Sequence, residues 1–244
     1  MDFPISRKPG PPPDGMALRL ADVHHWIFDL DNTLYPEAAN LFVQIEAKMK
    51  AFISERLGIG PEEAYKVQKD YLIRYGTTLR GLMDHHGVTP DEFLDTVHDV
   101  DFEVIRPDPR LVDSLERLPG TKYIFTNGPR SHAEAVLERI GAAELMSGIF
   151  DIEAAEFIPK PFPQTYAALV SRFDIEPQRT VFIEDMVRNL KPAREMGMTA
   201  VWLNTGSEWG KMGYDPANFD IEIHDLRAWL DGLVRGLDET DSKV

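Results

Sequence analysis

The chain contains no cysteine in 244 residues. It therefore cannot form disulfides, attack a substrate with a thiolate, or bind zinc and iron–sulfur clusters through sulfur. Long apolar runs are also missing, and no segment approaches the roughly 20 residues that a membrane-spanning helix requires. Residues 1–15 are rich in proline and glycine and lack the apolar centre of a secretion signal. We therefore expect a cytoplasmic protein that makes no membrane contact.

Basic residues are scarce relative to acidic ones, at 26 against 41, which gives a formal charge of −15. This excess repels nucleic acid polymers and anionic membrane surfaces. A phosphate-bearing substrate would need local positive potential from a metal, a lysine or a helix N-terminus. Hydrophobic residues at 43% and charged residues at 27% are ordinary for a globular protein. The length allows a core domain with a smaller inserted one.

Short apolar runs that alternate with helical patterns indicate the fold. The sequence predicts five buried strands, at residues 26–30, 122–126, 180–184, 199–203 and 219–223. It predicts helices with start or stop signals at residues 131–140, 164–173 and 189–196. This alternation is typical of an α/β, Rossmann-like fold, a doubly wound parallel sheet with helices on both faces. Three tryptophans are predicted to be packing groups rather than platforms for base stacking, namely Trp202, Trp209 and Trp229.

The stretch from residue 36 to residue 106 contains no convincing strand and predicts successive helices separated by glycine, threonine and proline. We predict a small helical cap over 36–106, inserted after the first strand of a core that comprises 21–35 and 107–236. A flexible N-terminal arm at 1–20 and a C-terminal tail at 237–244 complete the predicted organisation. The cap is expected over the carboxyl edge of the sheet, where ligands bind in open α/β folds.

Two aspartates, Asp29 and Asp31, follow the first predicted strand directly. Alternate residues of a strand share an orientation, so both carboxylates can face one site. One ionised carboxylate raises the proton affinity of the other, so one can attack while the other stays protonated for the leaving group. The alternative is a pair of aspartates that only make hydrogen bonds within a local turn.

Polar residues that could bind phosphate or a metal ion lie at the ends of two further predicted strands and just before a predicted helix. Thr126-Asn127-Gly128 offers a hydroxyl and backbone N–H groups for phosphate oxygens. Glu184 and Asp185 offer oxygen ligands for a hard cation, and Lys160 lies between two prolines just before a helix. Alone, each feature also fits a turn, a solvated loop or a lysine facing water. Together, at one edge of the sheet, they predict a site for phosphoryl transfer.

These segments resemble, in order and separation, the four motifs of the haloacid-dehalogenase-like phosphatase superfamily, and the helical insert resembles its commonest cap. The motifs are 28–34, 125–128, Lys160, and 183–185 together with Asn189. The resemblance implies that Asp29 is a nucleophile forming an aspartyl-phosphate and that Asp31 is the general acid and base. It implies Mg²⁺ as cofactor, bound by Asp29, the Asp31 carbonyl and Asp185, with Glu184 binding directly or through water. The other implied roles are phosphate stabilisation by Thr126, Asn127, Gly128 and Lys160, and support of the metal loop by Asn189.

Residues 75–83 resemble the pyrimidine 5′-nucleotidases more narrowly, as do 125–127 with His132 and 160–163 with Tyr166. This resemblance implies a nucleoside 5′-monophosphate such as UMP or CMP as substrate, with Thr78 and Arg80 as candidate specificity residues. The alternative is that a threonine caps a helix and Arg80 lies on its surface. A phosphatase or phosphomutase for a sugar phosphate and a non-catalytic binding protein remain alternative readings. Haloacid dehalogenases lack an aspartate at the position of Asp31, so its presence favours a phosphate substrate. The sequence does not predict the oligomeric state.

Overall fold

The computed structural model describes residues 22–241, with side chains described up to residue 236, so the predicted arm at 1–20 lies outside the described residues. Within this part, six parallel strands form one sheet in the order β3-β2-β1-β4-β5-β6. The strands are β1 His25–Phe28, β2 Thr121–Phe125, β3 Gly148–Phe150, β4 Thr180–Glu184, β5 Thr199–Leu203 and β6 Ile221–Ile223. The predicted fold class is confirmed.

Nine α-helices accompany the sheet in the described part. They are α1 Leu41–Leu57, α2 Pro61–Tyr75, α3 Thr78–His86, α4 Pro90–Val97, α5 Pro109–Arg117, α6 Arg130–Ile140, α7 Pro163–Phe173, α8 Val187–Glu195 and α9 Leu226–Asp241. The first four, with short 3₁₀ turns at Glu37–Ala39 and Phe102–Val104, follow β1, and no strand lies between residues 37 and 104 of the described chain. Helix α9 continues to Asp241, so residues 237–241 belong to a helix rather than to the predicted tail.

The alternation of β1 divides the core into two layers. Phe28 packs into one apolar cluster with α5, α6 and α9, whereas Ile27 packs into the other with α7 and α8. Both side chains are fully buried. The central strands were predicted within one or two residues, but β3 was missed, because a run of three residues carries too little periodicity to distinguish a strand from a loop. Because all strands are parallel, their carboxyl ends meet at one edge.

The inserted helices α1 to α4 have an apolar cluster of their own, which includes Ile45, Ile53, Leu82 and Phe93. Arg188, in α8, fastens this insert to the sheet domain. Its guanidinium donates hydrogen bonds at 2.9 Å to the carbonyls of Leu72 and Gly76. Gly76 has φ +84°, and a Cβ there would lie 2.9 Å from the carbonyl oxygen of Lys160. The α2–α3 turn therefore rests directly on the segment that carries this lysine.

No helix in the described range 22–241 is both long and apolar enough to cross a membrane.

Candidate active site

Asp29 begins the turn that leaves β1. Its backbone N–H donates to the carbonyl of Ile183 at 2.9 Å, which continues the pairing of β1 with β4 by one residue. The Thr33 hydroxyl donates to Asp29 Oδ2 at 3.0 Å. The left-handed conformation of Asn32, with φ 59°, and hydrogen bonds back to the Leu30 carbonyl close the turn. The carboxylate is thus held in a buried position at the carboxyl edge of the sheet.

Lys160 is the buried cation of the site, with 1% of its side chain exposed. Its ammonium donates to Asp29 Oδ1 at 2.7 Å, to Glu184 Oε2 at 2.7 Å and to the Phe125 carbonyl at 2.8 Å. Its backbone N–H donates to Asn127 Oδ1 at 2.8 Å, so the turn after β2 fixes the position of the lysine segment. Burial alone would lower the pKa of Lys160, but the two carboxylates outweigh it and raise that pKa. The lysine is therefore charged.

Three buried carboxylates surround this single ammonium. Oxygens of Asp29, Glu184 and Asp185 lie within 4.8 Å of one another. Burial, reinforced by Glu184, raises the pKa of Asp29 to about 7, and burial with the same neighbour raises the pKa of Asp185 well above its usual range. Carboxylate oxygens are the ligands that Mg²⁺ prefers, and a divalent cation would balance the excess negative charge. The donor set therefore fits a magnesium ion.

The turn that is predicted to bind phosphate lies at the cavity, and some of its groups make hydrogen bonds within the protein. Thr126, Asn127 and Gly128 all line the same cavity as Asp29. The Gly128 N–H donates to Thr126 Oγ1 at 3.0 Å, so in this structure that N–H serves the turn rather than a ligand. The Asn127 side chain is engaged with the backbone of Lys160. Hydrogen bonds within the turn therefore stabilise it, and the Asn127 side chain fixes the backbone of Lys160. The sequence did not reveal this role of Asn127.

Asp31 is held by two donors that sequence reasoning did not connect with it. Tyr35 OH at 2.5 Å and His132 Nε2 at 2.8 Å both bond Asp31 Oδ1. Within the described residues Oδ2 has no hydrogen-bond partner, and Asp31 lines the cavity. Burial would raise the pKa of Asp31, but the facing His132 and the Tyr35 hydroxyl outweigh it and lower that pKa. Asp31 was expected to be the protonated partner of Asp29, but it is ionised in the free protein. The sequence pattern did not reveal Tyr35 and His132 as its partners.

The tautomer of His132 follows from its surroundings. His132 is 1% exposed, and its Nδ1 is buried without a hydrogen-bond partner among the described residues. Because an ionised carboxylate only accepts hydrogen bonds, Nε2 carries the proton that His132 donates to Asp31. The ring lies against His98, with 4.9 Å between centroids, and burial lowers the pKa of His98 to about 4. Packing and hydrogen bonding together therefore fix Asp31.

A cavity of about 190 Å³ lies between the sheet edge and the inserted helices. The sheet domain contributes Asp29, Asp31, Asp185 and Asn189 to its wall, and the insert contributes Glu46, Gln68 and Lys69. Asn189 is 3% exposed and follows the acidic pair in the first turn of α8. Trp209, which is predicted to be a packing group rather than a platform for base stacking, also lines the cavity. Its position after β5 could be inferred from the sequence, but the direction of its ring could not.

The two predicted specificity residues separate in the structure. Thr78 is buried, lines the cavity and donates to the Gln68 carbonyl at 3.2 Å. Arg80 does not line that cavity, because its guanidinium pairs with Asp84 one helical turn away, with Nη2 to Oδ1 at 2.9 Å. The prediction that Arg80 reaches the substrate is therefore corrected: it belongs to the helix surface. The spacing of four residues between these opposite charges was the signal available in the sequence.

The doubly wound sheet carries a buried lysine and three carboxylates at its carboxyl edge, beside a cavity that the inserted helices cover. These features define an α/β enzyme with a helical insert over its site. The model of the haloacid dehalogenase-like hydrolase family matches residues 24–197. The chain belongs to this family, and the wider resemblance read from its motifs is confirmed. The narrower resemblance to pyrimidine nucleotidases stays a prediction.

Several curated relatives are phosphatases by name. The chain is 28% identical over 227 residues to glyceraldehyde 3-phosphate phosphatase of Methanocaldococcus jannaschii, covering 86% of this chain and 96% of that protein. It is 27% identical over 191 residues to phosphate metabolism protein 8 of Saccharomyces cerevisiae, covering 71% of this chain but only 59% of the yeast protein. The crystal structure of a phosphatase from Thermococcus onnurineus shares the fold, with a TM-score of 0.59 at 21% identity over 88% of this chain and 98% of that one.

Proposed function

We propose that this protein is a Mg²⁺-dependent phosphomonoester hydrolase that acts through an aspartyl-phosphate on Asp29. The observation that carries the proposal is the buried Lys160, which bonds Asp29 and Glu184 beside Asp185. This arrangement keeps positive charge at a sheet edge that is otherwise acidic, where a transferring phosphoryl group needs it. Residues 36–106 act as the cap that closes the site above the substrate.

Two carboxylates divide the work. Asp29 attacks phosphorus, the bond from phosphorus to the ester oxygen breaks, and Asp31 gives its proton to the departing alcohol. A phosphate dianion entering the cavity raises the proton affinity of Asp31, and because Oδ1 is occupied the proton resides on Oδ2. Asp31 then takes a proton from the water that attacks phosphorus, which releases phosphate and regenerates Asp29.

The metal would be held by Asp29, the Asp31 backbone carbonyl and Asp185. When bound, it would supply positive charge next to the transferring phosphoryl group. Both oxygens of Glu184 have protein partners, because Oε2 accepts from Lys160 and Oε1 accepts from the Met186 N–H at 3.1 Å. Each Glu184 oxygen keeps a second lone pair, as each Asp29 oxygen does, so Glu184 would bind the metal directly or through water.

The size of the cavity supports a small phosphate ester as substrate. Its volume of about 190 Å³ is below the ~300–1,000 Å³ that is typical of pockets for drug-sized ligands. Relatives named as phosphatases of glyceraldehyde 3-phosphate and N-acetylmuramic acid 6-phosphate agree with sugar-type esters. A nucleoside 5′-monophosphate is the second candidate, because two aromatic residues, Trp209 and Phe93, are among those that line the cavity.

A panel of phosphate esters tests the function. Triose, hexose and glycerol phosphates, UMP, CMP and p-nitrophenyl phosphate are assayed for phosphate release with Mg²⁺ and with excess chelator. We expect hydrolysis only with Mg²⁺ and higher kcat/KM for the small sugar-type esters than for UMP and CMP. Preference for the nucleotides would favour the second candidate. Absence of turnover on every ester, or conversion of a sugar phosphate to its isomer alone, would contradict the hydrolase assignment.

The support of Asp31 by His132 gives a separate prediction. In His132→Ala, Asp31 loses one of the two donors on Oδ1, so kcat/KM for an alkyl phosphate, which reports formation of the aspartyl-phosphate, should fall about tenfold or more, because protonation of a poor leaving group needs a well-placed acid. The fall should be smaller for p-nitrophenyl phosphate, whose leaving group departs as a stable anion. His132→Gln, which keeps an N–H donor, should recover part of the loss. Equal losses on both substrates would show that His132 does not act through Asp31.

A further inference from the structure

An ion pair with a buried lysine lies in the part of the cavity wall that the insert supplies. Lys69, in α2, pairs with Glu46, in α1, and the lysine side chain is 9% exposed against 34% for the glutamate. The Lys69 ammonium also lies 4.3 Å above the ring of Trp209, across the boundary between the insert and the sheet domain. A pair of this kind adds little stability relative to apolar packing, so its position in the wall of the cavity points to ligand binding.

Gln68, the neighbour of Lys69, supplies a second and independent observation. It is 3% exposed and lines the same cavity. Its Oε1 is buried and has no hydrogen-bond partner within the described residues, while its Nε2 faces only the sulfur of Met49 at 3.5 Å. A buried amide that lacks a partner is unfavourable, and a ligand hydroxyl that donates to it would satisfy it.

We propose that Lys69, Glu46 and Gln68 form a subsite for the uncharged, hydroxyl-bearing part of a small polyol or sugar phosphate. Each ligand hydroxyl both donates and accepts, so adjacent hydroxyls match a donor ammonium beside an acceptor carboxylate and an acceptor amide. The pair has no net charge, and Glu46 repels a second anionic group on the ligand. This inference rests on the proposed phosphatase function and specifies its substrate class.

A change of charge tests the subsite. The measured quantity is the ratio of kcat/KM for glycerol phosphate to kcat/KM for phosphoglycolate, which carries a carboxylate in place of hydroxyls. In Glu46→Gln, Lys69 loses its anionic partner and can bind the carboxylate, so the ratio should fall roughly tenfold. In Lys69→Met, kcat/KM for glycerol phosphate should fall by a similar factor. The control is Lys48→Met, which removes a partly exposed lysine of α1 that is paired with Asp99, and it should change neither quantity.

The double variant Glu46→Gln/Lys69→Met leaves no unpaired charge and guards against misfolding caused by one buried ion. We expect it to fold and to lose discrimination between the two esters. An unchanged ratio in Glu46→Gln and in the double variant would overturn the subsite. Hydrolysis of p-nitrophenyl phosphate by the unsubstituted protein, which needs none of these contacts, tests the proposed function separately. Absence of this hydrolysis would contradict the phosphatase function. Hydrolysis together with an unchanged ratio would contradict only the subsite.

Discussion

Asp29→Asn is expected to lower kcat for p-nitrophenyl phosphate by at least about 1,000-fold at saturating Mg²⁺, because the amide oxygen cannot serve as the nucleophile. The side chain keeps its size, and Lys160 keeps Glu184 and the Phe125 carbonyl as partners. The fold should therefore survive, and circular dichroism and thermal unfolding should resemble those of the unsubstituted protein. The measurement is initial-rate phosphate release across a range of substrate concentrations.

The control for this substitution is Asp113→Asn, which makes the same chemical change at an exposed aspartate in α5. It should retain full activity. Activity of Asp29→Asn within tenfold of the unsubstituted protein would contradict nucleophilic attack by residue 29, provided that repeated preparations exclude deamidation back to aspartate. A water-mediated mechanism would then have to replace the covalent one.

Lys160→Met should abolish activity and also destabilise the fold. Asp29 and Glu184 lose the ammonium they share, and breaking a buried ion pair by removing one partner costs about 3–5 kcal/mol. For a chain of this size, each kcal/mol lowers Tm by about 2–4 °C, so the Tm should fall by roughly 6–20 °C. The kcat should fall by about 1,000-fold, because the phosphoryl group loses its fixed cation.

Lys122→Met is the matched control for the lysine. Lys122 is also buried, but its ammonium donates to the carbonyls of Leu118 at 2.8 Å and Gly120 at 3.1 Å and contacts no carboxylate among the described residues. It lies near the beginning of β2, away from the carboxyl edge, so its loss should leave kcat unchanged. The double variant Lys160→Met/Glu184→Gln should regain part of the lost stability but no activity. Regained activity would show that Lys160 acts only as a structural counter-ion.

The fold, and the meeting of the candidate reacting groups at one edge of the sheet, could be predicted because their signals are local. Each of Asp29, Glu184 and Asp185 follows or ends a short apolar strand, and parallel strands bring their carboxyl ends together whatever the remaining chain does. Lys160 was predicted from its position between prolines ahead of a helix. Its hydrogen bonds to Asp29 and Glu184 were not predicted, although both carboxylates were predicted at the same edge of the sheet.

The contacts that tune the site could not be predicted, because they join distant residues through side-chain direction. His132 is 101 residues from Asp31, and no periodicity relates them. Lys69 and Glu46 are 23 residues apart on two helices, and their meeting depends on how α1 packs on α2. Arg80 is the opposite case, because its partner Asp84 is only four residues away in the same helix. This local ion pair predicts the position of Arg80 better than the resemblance to the nucleotidases does.

Trapping the covalent intermediate tests the central claim most directly. The protein is mixed with p-nitrophenyl phosphate and Mg²⁺, quenched in the steady state and treated with borohydride, which reduces an acyl phosphate to an alcohol and leaves a free carboxylate unchanged. Peptide mass spectrometry should then find homoserine in place of aspartate at residue 29, only with substrate present and not in Asp29→Asn. Trapped product at another residue, or steady turnover with residue 29 always recovered as aspartate, would contradict the aspartyl-phosphate mechanism.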